Sequence, residues 1–134
     1  MSDRDDGRQR HSTGTEWEAR VGYSRAIRVG DLVYVAGTLG VGADGTPPEG
    51  AYEQSVAAFE RIGAALEAMG GSVSDVVRTR MYVVDVEQNQ FDVGRAHSEW
   101  FGSVMPASTM LGVSGFVDPA YLVEVEVDAV IDEG

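Results

Sequence analysis

The strongest constraint in this chain is an unbroken alternation over residues 122–131. Leu122, Glu124, Glu126, Asp128 and Val130 fall on one side, and Val123, Val125, Val127, Ala129 and Ile131 on the other. Such a period-two pattern, rich in β-branched residues, specifies a strand with one buried face. A slip of one residue would turn every valine into water. Three carboxylates then stand in a row on the opposite face. Either that face is simply solvated, or one carboxylate occupies a cleft where its pKa is tuned for acid–base chemistry.

The charge balance narrows the partners. There are 22 acidic residues against 10 basic ones, a net charge of -12, and every basic residue is an arginine. Nucleic-acid binding relies on clustered positive charge, so nucleic acid is not an expected partner, and anionic membrane surfaces would repel the chain. No apolar run approaches the ~20 residues of a membrane span, and the N-terminus lacks the apolar core of a secretory signal. A cytoplasmic protein is therefore expected. With no cysteine, disulfides, thiol nucleophiles and thiolate metal sites are excluded. An acidic, lysine-free surface fits a protein kept soluble in high salt, although a GC-rich coding sequence also replaces lysine by arginine.

Along the chain, residues 1–15 are polar and aperiodic and read as a disordered tail, followed by a single domain over residues 16–132. Residues 23–29 and 32–39 flank Gly30-Asp31 and read as a β-hairpin. Four glycines and Pro47-Pro48 mark residues 40–50 as a loop. Tyr52, Val56, Phe59, Ile62, Gly63, Leu66 and Met69 make a stripe at helical spacing, which Gly70-Gly71 ends. A strand over 76–86 and a helix over about 88–103 follow, the helix turning Phe91, Gly94, Ala96 or His97, Trp100 and Phe101 inward until Pro106 stops it. The order β-β-α-β-α-β-β gives an α+β two-layer sandwich, a mixed sheet with two helices on one face. Its other face would carry Arg78, Arg80, Tyr82 and Val84 beside the acidic row. Matched charges with tyrosine and valine there point to an oligomer interface.

Few motifs carry chemistry. The only histidines are His11 and His97, without metal-ligand spacing, so no metal site is expected. The glycines of residues 37–42 lead into a proline-rich loop rather than a helix and make no phosphate cradle. Tyr23 and Arg25 share one side of the first strand.

The residues Trp17-Glu18, Gly22-Tyr-Ser-Arg-Ala26, Val35-Ala-Gly-Thr38, Gln54, Asp75-Val-Val-Arg-Thr-Arg-Met-Tyr82, Asp85, Gly94-Arg-Ala-His97, Pro106-Ala-Ser-Thr109 and Val123-Glu-Val-Glu126 occur in this order. Over residues 16–132 this set resembles the RidA/YjgF family of reactive intermediate deaminases, also called L-PSP endoribonucleases. The resemblance implies a chorismate-mutase-like α+β homotrimer with small-molecule pockets between subunits. It also implies hydrolysis of enamines or imines, such as 2-aminoacrylate, to 2-oxo acids and ammonia, without a cofactor. Carried over by position, Tyr23 is the pocket tyrosine, Gly37 the pocket glycine and Glu124 the glutamate beside the attacking water. Ala36 stands where serine is usual. The carboxylate-clamping arginine is expected after Pro106-Ala107, where this chain has Ser108. That departure implies a substrate other than 2-aminoacrylate, contacted by Ser108 and Thr109, with Arg25 as a replacement guanidinium. The alternative is a non-catalytic metabolite-binding or holdase-like trimer; endoribonuclease activity fits least with the negative charge. A surface adapted to salt predicts a melting temperature that rises from low to multimolar KCl, and a flat or falling curve contradicts that adaptation.

Overall fold

The computed structural model describes residues 6–132. Its elements are β1 (Arg8–His11), α1 (Glu16–Val21), β2 (Ala26–Val29), β3 (Leu32–Leu39), α2 (Ala51–Ala68), β4 (Val76–Val84), α3 (Val86–Phe101), β5 (Ala107–Val113) and β6 (Val123–Val130). The strands form one sheet in the order β1-β2-β3-β6-β4-β5. Only the β4–β5 pair is parallel, so the sheet is mixed. Strand β6, the strand of the alternation, lies in the middle between β3 and β4.

The alternation is realised as a division between the two faces. Val123, Val125 and Val127 are each 0% exposed beneath the helices. Burying a side chain of this size contributes about 1.5–3 kcal/mol. Helices α2 and α3 cover that face, with Phe59, Ile62 and Leu66 from α2 and Val93, Ala96 and Phe101 from α3 in the core. The rings of Phe59 and Phe101 meet edge to face at 5.2 Å, joining the two helices. Gly70, with φ 91°, ends α2 after Met69, as the Gly70-Gly71 pair predicted.

The other face of the sheet carries the charges. Arg78 pairs in register with Asp128, Arg80 with Glu126 and Tyr82 with Glu124. Arg80 lies 3.6 Å from both Glu126 and Asp128, and the Tyr82 hydroxyl donates to Glu126 at 2.6 Å. The predicted juxtaposition of the arginine and carboxylate rows is therefore present. These pairs are partly exposed, and each contributes at most about 1 kcal/mol.

Three local expectations differ. Residues 8–15, placed in a disordered tail, instead form β1, paired with β2, and the approach to α1. The polar Ser12 and Thr13 that made the segment look solvated have an internal carboxylate to bind, described below. Residues 1–5 of that tail lie outside the described residues. The fold also has a third, short helix, α1. Phe91 is 75% exposed, because α3 turns Val93, Ala96 and Phe101 inward and leaves position 91 on the outer face. No helix among the described residues is long and apolar enough to cross a membrane.

A polar anchor and a close backbone approach hold the layers together. Gln54 is 1% exposed, its amide donating to the Pro48 and Ala120 carbonyls and accepting from Leu122 N–H. It thus ties the start of α2 to the approach to β6. Where β3 ends, Gly40 passes so close to α2 that an added Cβ would lie 2.0 Å from the Gln54 carbonyl oxygen. Gly40→Ala is expected to cost about 1–3 kcal/mol or more, read as a lower urea midpoint; an unchanged midpoint would contradict this packing.

Candidate functional site

The site begins at an irregularity in β3. Val35 pairs with Val127 and Thr38 with Val125, so Ala36 and Gly37 together oppose Glu126 alone. This is a β-bulge, and it inverts the facing of the strand. Before it Val33 and Val35 point to the core; after it Thr38 does, at 0% exposure. Opening the backbone here makes room for Glu124. A Cβ on Gly37 would lie 3.0 Å from the Glu124 carboxylate, which packs directly over the glycine.

Arg25 secures the bulge from the N-terminal side. It is 6% exposed and donates from one terminal nitrogen to the Gly37 carbonyl (3.1 Å) and the Thr38 hydroxyl (3.2 Å). The other terminal nitrogen approaches the Tyr23 hydroxyl at 3.5 Å. Its Nε is buried without a hydrogen-bond partner among the described residues, 3.9 Å from Glu18 Oε2. Glu18 is itself 4% exposed, and its carboxylate accepts from the Ser12 hydroxyl (2.7 Å) and from the Thr13 hydroxyl (2.6 Å) and amide (3.1 Å). Burial alone would raise the Glu18 carboxyl, but the hydrogen bonds from Thr13 and Ser12 outweigh it and hold the pKa below its ordinary value.

Beside this assembly lies a cavity of about 450 Å³, walled by α1 (Trp17, Glu18), the bulge (Gly37), Arg25, Arg61 of α2, the segment before β6 (Val117, Tyr121) and Glu124. Past Glu124 it continues into an open groove along Tyr23, Ala36, Tyr82, Phe116 and Glu126. Glu124 faces both. Burial pushes its carboxyl above the ordinary value; Arg25 pulls it back and Glu126 adds to the rise, leaving it raised. A half-buried carboxylate raised in this way, next to a cavity of ligand size, can exchange protons with a bound molecule or water.

Of the residues singled out in the sequence, Tyr23, Arg25, Ala36, Gly37 and Glu124 come together here. Ser108 and Thr109 do not: they lie on the outer strand β5, opposite Thr79 and Arg80 of β4. Ser108 turns toward α3. Its Oγ accepts from the Thr79 hydroxyl at 2.8 Å, and Thr79 is 2.8 Å from His97 Nε2. With Thr79 donating to Ser108, the imidazole N–H is the donor to Thr79. Burial lowers the His97 pKa, so the ring favours the neutral form. Arg61, Trp17 and Tyr121 were not assigned to a site in the sequence. Arg61 had a signal, one heptad after Gln54 at the margin of the apolar stripe, where a charged side chain borders the core.

Comparison with known proteins finds relatives that span most of the chain. The family model described as Endoribonuclease L-PSP covers residues 13–131. An uncharacterized protein of Streptomyces coelicolor is 42% identical over 125 residues, 90% of each chain. A 2-iminobutanoate/2-iminopropanoate deaminase of Dermatophagoides farinae is 31% identical over 114 residues, 81% of this chain and 84% of that protein. The crystal structure of a Mycobacterium tuberculosis member of the YjgF/YER057c/UK114 family superposes with a TM-score of 0.85 at 42% identity, covering 92% of this chain and 99% of the other.

The raised carboxyl predicts a stability signature. An ionised Glu124 is disfavoured in the folded protein, so its penalty is absent below its ordinary value of 4.5 and appears as pH rises through the raised folded value. Glu124→Gln should therefore melt higher than the unmodified protein at neutral pH, with the advantage vanishing on acidification. A variant that melts lower at neutral pH contradicts the assignment.

Proposed function

The chain belongs to the L-PSP endoribonuclease family, the RidA/YjgF family, and we propose that it hydrolyses a reactive imine or enamine at the Glu124 cavity, as part of a homotrimer. The observation that carries this reading is the position of Glu124, half-buried over Gly37 with a raised pKa. In the proposed reaction an enamine first tautomerises to the imine, gaining a proton on carbon and losing one from nitrogen. Glu124 accepts a proton from a bound water as its oxygen adds to the imine carbon. The same proton passes to nitrogen, and the resulting carbinolamine collapses to a carbonyl compound with loss of ammonia. One water is consumed for each C=N bond broken. General-base assistance of this kind is worth about 10²–10⁴-fold. The relative named as an iminobutanoate/iminopropanoate deaminase supports the reaction class.

The trimer reading is supported by what the single chain leaves exposed. The sheet face opposite the helices carries Arg78, Tyr34 at 43% exposure and the carboxylate row, and the outer strand β5 presents Ser108, Thr109 and Leu111. In the proposed trimer the edge strand β5 of a neighbouring copy, with Ser108 and Thr109, borders the open groove beside Glu124. The site would then be complete only between subunits.

A binding role without catalysis is the second reading. Ser108 replaces the family's carboxylate-clamping arginine, and its hydroxyl is already engaged with Thr79. Endoribonuclease activity, the older description of the family, fits poorly with a net charge of -12. Ammonia release from imines generated in situ by an amino-acid oxidase separates these readings. The unmodified protein should accelerate release, and Glu124→Ala should lose about two orders of magnitude or more. An inert wild type that becomes active as Ser108→Arg would instead support the binding role.

A further inference from the structure

The cavity beside Glu124 contains two guanidinium groups, and they are held very differently. Arg25 is buried and committed to the bulge, with Glu18 as its nearby carboxylate. Arg61 makes a single hydrogen bond, from one terminal nitrogen to the Leu39 carbonyl at 2.5 Å, and no ion pair among the described residues. That bond fixes the head group where β3 leaves the sheet, so Arg61 is not a freely moving surface side chain. Its remaining N–H groups make no hydrogen bond among the described residues. Burial first, and then the like charge of Arg25, lower its pKa from the ordinary arginine value. Arginine nevertheless keeps its proton in proteins. A half-buried cation with no ion-pair partner among the described residues, and repelled by a second cation, is stabilised by an anion that enters.

Glu18 offsets part of that repulsion through space, but no acidic group around the cavity forms an ion pair with Arg61 among the described residues. The carboxylate of Glu18 is occupied by Ser12 and Thr13. Asp118, exposed at the mouth, accepts from the Ala120 amide at 2.9 Å. Glu124 lies toward the groove end, where it interacts with Arg25 and Glu126. Between these groups the walls are apolar and aromatic: Trp17, Leu39, Val41, Val117 and Tyr121.

We propose that Arg61, backed by Arg25, forms an anion subsite at the α1 end of this cavity, selecting ligands that pair a carboxylate with an aromatic or bulky apolar group. The subsite rests on reading the Glu124 cavity as the ligand site. It would place a carboxylate clamp within the same chain as Glu124, on the opposite side from the strand β5 position where Ser108 stands in place of arginine. A carboxylate held by Arg61 directs the rest of the molecule along the apolar walls and its C=N carbon toward Glu124. Arginine's fork suits the two oxygens of a carboxylate, so lysine at this position should serve less well.

Calorimetric titration with phenylpyruvate and with its uncharged methyl ester tests the subsite without any turnover. The wild type should bind the acid more tightly than the ester, and the preference should fall as KCl is raised. Arg61→Gln should weaken the acid at least about tenfold, the fold-change of one charge-assisted contact, and leave the ester unchanged; Arg61→Lys should fall between. Equal binding of acid and ester by the wild type overturns the proposal, and so does an Arg61→Gln variant that keeps the preference. The wild-type comparison and its salt series need no variant, so a missing acid preference overturns the subsite even where loss of the Leu39 contact weakens the fold. A protein that releases no ammonia but still shows the Arg61-dependent preference loses the deaminase reading and retains the subsite. Deaminase activity with no acid preference does the reverse.

Discussion

Strand β6 has to hide valines on one face and cannot hide carboxylates on the other, and most of the architecture follows from that asymmetry. Burying Val123, Val125 and Val127 requires a layer above them, and α2 and α3 provide it. Flanking β6 with β3 and β4 buries its backbone groups in two ladders and brings the arginines of β4 opposite its acidic residues. The charges are thereby paired in register without leaving solvent. Desolvating such pairs fully would cost several kcal/mol per ion unless new hydrogen bonds compensated. Any neighbour seated on that face must therefore match these pairs.

Within this frame the β3 bulge converts a regular sheet into a site. One additional residue opposite Glu126 reverses which side chains face the core, turns Thr38 inward and leaves Gly37 with space above it for the Glu124 carboxylate. The bulge does not stand alone. Arg25 bonds its carbonyl, Glu18 balances Arg25, and Ser12 and Thr13 hold Glu18. A chain of polar contacts thus runs from the N-terminal segment to the carboxylate proposed to act on the ligand. Loosening α1 would release Arg25, and with it the backbone that shapes the cavity.

Elements defined by hydrophobic period were legible in the sequence. The β6 alternation, the α2 stripe and the Gly30-Asp31 hairpin all describe residues whose partner is the common core, and burial is a property that composition reveals. Residues whose role depends on a particular distant partner were not legible. Ser12 and Thr13 read as solvated because their acceptor, Glu18, becomes buried only in the fold. Phe91 is apolar yet faces outward, since the phase of α3 is set by Val93, Ala96 and Phe101. The bulge had a cue in Gly37 within a strand pattern, but its register against β6 was not available from one sequence. Nor was strand order, which separates Ser108 from Glu124 within one chain. Arg61 shows the same limit: its position beside the apolar stripe was readable, while the cavity it lines was not.

The central claim is that the bulge gives Glu124 an environment unlike that of its neighbours on the acidic face. Titrating the side-chain carboxyl carbons by NMR, with Glu124 and Glu126 assigned through their glutamine variants, tests it most directly. The account predicts that Glu124 titrates above the ordinary glutamate value of 4.5. It further predicts that Gly37→Ala, which crowds the carboxylate with an added Cβ, changes that titration while the fold persists. A Glu124 that titrates at or below the ordinary value, indifferent to residue 37, would contradict the account.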